Sequence, residues 1–272
     1  MFAVSGNSFD ISAIVNEYSE DSIEKQLLDK MSASNVNYSY DSLNQLKFEL
    51  ELRRNIVDSA VSLNKSGLLF SGFKNSFCNQ AYWKRTASGG FLLREGVTSG
   101  EAINDIFTNG DKYSTECATA VMIIYYKALL DAYGDQLFSK QFAKIYLMDW
   151  DVTEPLLAEA VFLHPSADIL PGDRGYFNNP DYDTAAPEWQ GENVIILRDS
   201  MYYGHGIGIT TADEIIRDLN SRRTEYTAKS TYLIDSVGRP DFKKLSDIYY
   251  SIPRRVGTLM WKPFPPPLLK NI

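Results

Sequence analysis

An α+β domain, with helices packed on an antiparallel sheet, follows from three stretches of this sequence. The first is 42–65. A Ser42-x-x-Gln45 capping box opens it, and Leu43, Leu46, Leu50, Val57 and Ala60 or Val61 recur at helical spacing. The second is 118–130, rich in helix formers and core-type side chains and closed by Gly134. The third is the pair 191–198 and 201–209, two strand-like runs joined at Asp199-Ser200. Helices and antiparallel strands in a chain of 272 residues predict layers around a substantial core.

The other elements follow in chain order. A short extended start at 2–4 precedes a polar stretch with a weak helix at 23–31. Gly67 ends the long helix, whose Arg53, Arg54, Glu49 and Glu51 read as its solvated face. Residues 81–86 and 91–94 flank Ala-Ser-Gly-Gly and read as a β-hairpin. A short helix at 99–107 precedes the one that carries Cys117. Ser114 and Thr115 are good N-cap types for that second helix. A further helical turn leads to 144–150, a buried strand. Residues 155–187 contain Pro and Gly with low periodicity and read as a long loop region. Thr211-x-x-Glu214 caps a helix reaching Arg222, and a last helix spans 241–250. Trp261-Lys-Pro-Phe-Pro-Pro-Pro is extended or polyproline-like. The division predicted is one domain over 1–250 and a Pro-rich C-terminal extension over 251–272.

Composition narrows the function classes. A net charge of −8, from 27 Lys and Arg against 35 Asp and Glu, argues against nucleic acid or an anionic membrane as main partner. No run approaches the ~20 apolar residues of a membrane span. The opening Met-Phe-Ala-Val-Ser-Gly lacks the basic and apolar regions of a secretion signal, so cytoplasmic synthesis is expected. Two cysteines, Cys78 and Cys117, make no disulfide framework and suit a reducing compartment. With only His164 and His205 beside them, no metal-ligand spacing is visible, and no cofactor is expected.

The chemistry centres on Cys117. At the first turn of an apolar helix a thiol meets unpaired N–H groups and the positive end of the helix dipole, which favours the thiolate. The alternative is a small buried hydrophobe that happens to open a helix. A cysteine helix followed by antiparallel strands with polar groups suggests a papain-like arrangement, in which a neighbouring strand supplies the base. Two candidates lie on the predicted hairpin. Glu192 opens its strand after Gly191, and His205 is flanked by Gly204, Gly206 and Gly208, a spacing that allows close approach. Each has a structural alternative: an exposed strand-end charge, or a histidine packed on the sheet. His164, in Leu-His-Pro, reads as structural. Glu116 suits the helix start but would also raise the neighbouring thiol pKa.

The chain resembles the bacterial protein-glutamine γ-glutamyltransferases associated with spore coats. The resemblance is carried by Tyr113-x-x-Glu-Cys-Ala-Thr-Ala-x-x-Ile-Ile-Tyr-Tyr-x-Ala-Leu129. It continues through Asp149-Trp150, Gly172-Asp173, Tyr176-Phe177-x-Asn179-Pro180, Trp189-x-Gly-Glu-Asn-Val194 and His205-Gly-x-Gly208. Upstream, Phe48-Glu-Leu-x-Leu-Arg-x-Asn-Ile-Val57 and Lys65-Ser-Gly67 also match it. The resemblance implies a compact papain-like fold with the nucleophile at a helix N-terminus, and a catalytic domain over 1–250. It implies Cys117 as nucleophile and Glu192 as its partner. Glu116 contributes to activity, and His205 falls on the family's hairpin histidine. The implied substrates are glutamine- and lysine-bearing proteins, spore coat proteins among them, with the spore coat as location in a sporulating source and no calcium requirement.

The implied reaction joins a glutamine carboxamide to a lysine amine through a cysteine thioester, releasing ammonia. Helix N–H groups beside Cys117 would stabilise the oxyanion. Because water competes for the thioester, Phe70, Trp150, Trp189 and Tyr176 are candidates for a dry substrate channel, each weighed against a plain core role. A hydrolase using the same acyl-enzyme, or an inactive structural homologue, are the rival readings. The chain departs from the family in the loop 154–171 and after Tyr250.

Overall fold

The apolar spacing of 42–65 produces one of the two helices on which the molecule is built. A computed structural model describes residues 1–148, 154–223 and 229–251. Leu43–Lys65 is helical, with Ser42 Oγ accepting from the Gln45 N–H at 3.2 Å. Gln45 returns a bond from its side chain to Asp41 N–H rather than to the cap itself. Its neighbour is Cys117–Tyr133, in which every residue except Lys127 and Asp131 is buried. A helix apolar all round has to be central. It packs against Leu43–Lys65 on one side and strand Gly191–Ile196 on the other. Smaller helices Ser99–Thr108 and Asp135–Gln141 close over it.

The main sheet has five antiparallel strands in the order Gly208–Thr211, Met201–Gly204, Gly191–Ile196, Arg174–Asn178 and Tyr232–Leu233. The turn at Asp199-Ser200 is as expected. Both residues have positive φ, 57° and 59°, the pattern that matches the right-handed twist of a two-residue hairpin. Residues 201–209 are not one strand but two, broken at His205–Ile207, where Gly206 turns at φ 100°. A Cβ there would sit 2.7 Å from the Phe70 ring, so the approach that the glycines permit is made by an aromatic side chain of this chain.

Three further expectations fail. The section 155–187 is not all loop: Arg174–Asn178 is a strand next to the sheet's centre. Its buried Arg174 and half-buried polar residues hide the alternation by which a strand is read. Of 144–150, only Tyr146–Leu147 pairs as strand, beside the hairpin Trp83–Arg85 and Phe91–Leu93, while 149–150 lie outside the described residues. Arg53 and Glu49 are not solvated. Arg53 is 1% exposed, and its guanidinium bonds Glu49 at 2.8 Å and Asp173 at 2.7 Å. Arg239 meets the same Asp173 carboxylate and Asp168, tying the long helix to the chain before Arg174. The weak helix is real, Ile23–Ala33, and the last helix is Phe242–Ser251. The Pro-rich segment 252–272 lies outside the described residues.

Candidate active site

Cys117 is the first residue of its helix, and the N-cap is Glu116 rather than Ser114 or Thr115. Ser114–Thr115 instead pairs as a short parallel strand with Leu69–Phe70, delivering the chain to the helix start in extended form. One Glu116 carboxylate oxygen accepts the Ala118 N–H at 2.5 Å and the other the Thr119 N–H at 2.8 Å. Of the helix N–H groups expected to hold an oxyanion, those of Ala118 and Thr119 are occupied by the cap.

The helix start does not yield a low thiol pKa. Burial pushes the Cys117 thiol well above its usual value, and the carboxylates of Glu192 and then Glu116 push it further. Hydrogen bonds from Asn193 oppose them, including Asn193 Nδ2 donating to Cys117 Sγ at 3.3 Å. Proximity to a helix dipole is outweighed here by desolvation and two acidic neighbours. Cys78 is buried too, and its thiol is pushed up to about 11 by desolvation, partly offset by Arg85 and Arg94.

Glu192 is fully buried in the strand facing the cysteine helix. Strand pleating sends Glu192 and Asn193 to opposite faces. Asn193 meets the sulfur, while Glu192 lies beneath Gly204, where a Cβ would sit 3.0 Å from its Oε1. Neither Glu192 oxygen has a hydrogen-bond partner of good geometry among the described residues, though the His205 backbone N–H comes near enough to favour its ionised form. Burial, then the Glu116 and Asp218 charges, hold its carboxyl pKa well above the usual range, with Arg222 opposing. The result is a carboxyl held toward its protonated form, within electrostatic reach of a thiol.

His205 is occupied at both ring nitrogens. Nδ1 lies 3.1 Å from the Tyr203 hydroxyl and Nε2 3.2 Å from the Leu69 carbonyl. The carbonyl can only accept, so Nε2 carries the hydrogen and Nδ1 accepts from the tyrosine. Burial pushes its pKa down to about 4. A neutral imidazole with both nitrogens engaged is poorly set up to take a proton from Cys117.

A cleft of about 760 Å³ opens onto the thiol. Glu116, Cys117, Arg174, Tyr176 and Asn193 line it, together with residues 72–75, Ala185, 187–188 and 190–191. Of the channel candidates, Tyr176 lines this cleft. Phe70 lines a separate cavity of about 270 Å³ with Tyr203 and His205. Trp189 packs at a tilt on Phe70, ring centres 4.8 Å apart, and its ring carries the Arg222 guanidinium at 3.6 Å. Trp150 lies outside the described residues. Exposed His164 sits 3.4 Å from Glu159. No group of three or more metal-ligating side chains occurs among the described residues, and no described helix is long and apolar enough to cross a membrane.

Asn193 and Arg174 were not singled out by sequence. Alternation along the strand was the available signal, since a residue next to Glu192 must face the other way.

Residues 1–249 match the sequence profile of the family described as protein-glutamine gamma-glutamyltransferase. An enzyme of that name from Bacillus mycoides (strain KBAB4) is 45% identical over 234 residues, 86% of this chain and 84% of the relative. One from Bacillus cereus (strain 03BB102) is 44% identical over 241 residues, covering 88% and 86%. Among solved structures, a transglutaminase from Geobacillus stearothermophilus, without its C-terminal extension, aligns with a TM-score of 0.71 at 44% identity. That alignment covers 76% of this chain and 98% of that one.

Proposed function

This chain belongs to the protein-glutamine γ-glutamyltransferase family, and from that premise we propose that Cys117 is its nucleophile and Glu192 its proton carrier. The enzyme is an acyltransferase that links glutamine- and lysine-bearing proteins. In the first half-reaction the Cys117 thiol passes its proton to Glu192 as sulfur bonds to the side-chain carbonyl carbon of glutamine. The proton then goes to the departing nitrogen, the C–N bond breaks, and ammonia leaves a thioester. In the second, a lysine amine attacks the thioester carbon. Glu192 takes a proton from that nitrogen, the C–S bond breaks, and the sulfur regains its proton.

The observation that carries this reading is the pairing of a buried thiol with a buried carboxyl whose oxygens lack good hydrogen-bond partners. Burial raises the pKa of both groups, the Glu192 charge raises the thiol's further, and the Glu116 charge raises that of each. Glu116 reinforces that through its charge while fixing the helix start. The fold that supports this, a nucleophile heading a helix against an antiparallel sheet, is papain-like, and residues 1–250 are its single catalytic domain with 251–272 as an extension. Phe70, Trp189, Tyr176 and Trp150 are proposed to shelter the thioester from water. The reaction needs no calcium, which amine incorporation after dialysis against EDTA would test. In a sporulating source, spore coat proteins are the proposed substrates, and crosslinking of coat extracts by the purified enzyme checks that.

The deciding experiment compares Glu192→Gln with His205→Asn in amine incorporation, normalised to folded protein. The carboxylate reading expects Glu192→Gln to lose nearly all turnover and His205→Asn to retain a measurable part. The reverse order would transfer the proton-carrying role to His205. Release of deamidated product without amine incorporation would make the enzyme a hydrolase.

A further inference from the structure

Arg174 and Asn193 form a buried two-residue relay that ends on the reacting sulfur. Arg174 is 4% exposed and Asn193 6%. The Arg174 Nε–H donates to Asn193 Oδ1 at 3.0 Å. Its Nη1 donates to the carbonyls of Ala160 at 3.3 Å and Val161 at 2.5 Å, anchoring the guanidinium to a neighbouring segment. An amide has one accepting and one donating end. Because a guanidinium can only donate, Arg174 fixes Oδ1 toward itself and leaves Nδ2 toward Cys117, 3.3 Å from the sulfur. The flipped amide would set two donors against each other.

We propose that Asn193 is a catalytic residue that holds the Cys117 sulfur as it gains charge, and that Arg174 is a positioning residue acting through it. The proposal rests on Cys117 being the nucleophile. The charges that act on this sulfur are the carboxylates of Glu192 and Glu116, and Lys74, Arg174 and Glu188 line the same cleft. Glu116 adjoins it on the helix start, and Glu192, the residue before Asn193, acts on it while feeling Asp218 and Arg222 in turn. Tyr176, on the adjoining strand, is kept un-ionised, its pKa pushed up to about 12. His205 is neutral. Against two carboxylates, the Asn193 amide is the donor that makes a thiolate attainable. The adjoining N–H groups of Ala118 and Thr119 are spent on Glu116.

The test is the pH profile of Cys117 alkylation by iodoacetamide, read by peptide mass mapping so that Cys78 does not contribute, together with amine incorporation. Asn193→Leu removes the side-chain donor without adding charge and leaves the Asn193 backbone N–H in place. Its profile should move up by about one pH unit and its incorporation should fall about 100-fold, the effect of losing one charge-stabilising donor. Arg174→Lys keeps the positive charge but loses the planar fork, so it should move the profile in the same direction by less. In the Asn193→Leu background, Arg174→Lys should add no further shift. Arg174→Gln replaces it if the lysine variant does not fold. An unshifted profile in Asn193→Leu overturns the sulfur contact. A shift from Arg174→Lys that persists without Asn193 overturns the relay. Incorporation that survives Cys117→Ala would instead overturn the nucleophile assignment, whatever these variants do.

Discussion

His205 shows how a residue flanked by glycines can be chemically conspicuous in sequence and quiet in structure. Its two nitrogens are satisfied by Tyr203 and Leu69, and burial holds it neutral down to a pKa of about 4, against an ordinary value of 6.5. The folded state therefore binds fewer protons than the unfolded state between those two values, and stability falls as pH drops through that window. A shift of this size corresponds to roughly 3 kcal/mol once pH is below both values. Urea unfolding at pH 7 and near pH 4.5 should show wild type losing more stability than His205→Asn over the same interval. Equal losses would mean that the imidazole is not held neutral. Glu192 is the opposite case: offered by sequence as a candidate base or an exposed strand-end charge, it is fully buried, with neither oxygen well partnered.

At the scale of the element, the long helix Leu43–Lys65 carries adjacent arginines with different roles. Arg53 is buried between Glu49 and Asp173, whereas Arg54 is 41% exposed beside Glu24 and Glu51. Arg53→Met strands buried carboxylates and should cost on the order of 3 kcal/mol in chemical denaturation. Arg54→Met should cost no more than about 1 kcal/mol, the range of exposed pairs. Similar costs for the two would show that the Arg53 network is not structural. Sequence periodicity located this helix and the cysteine helix with nearly correct ends, and the turn at Asp199-Ser200, because each obeys a local rule of spacing, capping or turn chemistry. It misplaced Arg53 because the partner that draws it inward, Asp173, is remote in the chain. The strand Arg174–Asn178 was missed for the same reason: Arg174 is buried by a distant asparagine and two carbonyls. Capping was misassigned because Ser114 and Thr115 are good cap types but are committed to pairing with Leu69–Phe70, which leaves the cap to Glu116.

Across the whole molecule, the candidate site forms where the cysteine helix meets the five-stranded sheet, and the last helix closes the far side of the core. Phe242 carries the Arg53 guanidinium on its ring at 4.6 Å, and Tyr249 stacks on Tyr133 and meets Phe48 at a tilt. Truncation after Ser251 should leave amine incorporation largely intact. Truncation before Asp241 should give a chain that does not fold cooperatively, by loss of a thermal transition. A dead enzyme from the first truncation would place 252–272 inside the catalytic unit. The family and the reaction were legible from motif blocks spread over most of the chain, whereas the contact between Asn193 and the sulfur depends on a strand register that no local pattern states. The account as a whole stands on Cys117. Its most direct test is incorporation of a fluorescent primary amine into casein by wild type, Cys117→Ala and Cys78→Ala, each verified as folded by circular dichroism. Wild type and Cys78→Ala should label casein while Cys117→Ala leaves it unlabelled. Labelling by Cys117→Ala, with Cys78→Ala inert, would contradict the account.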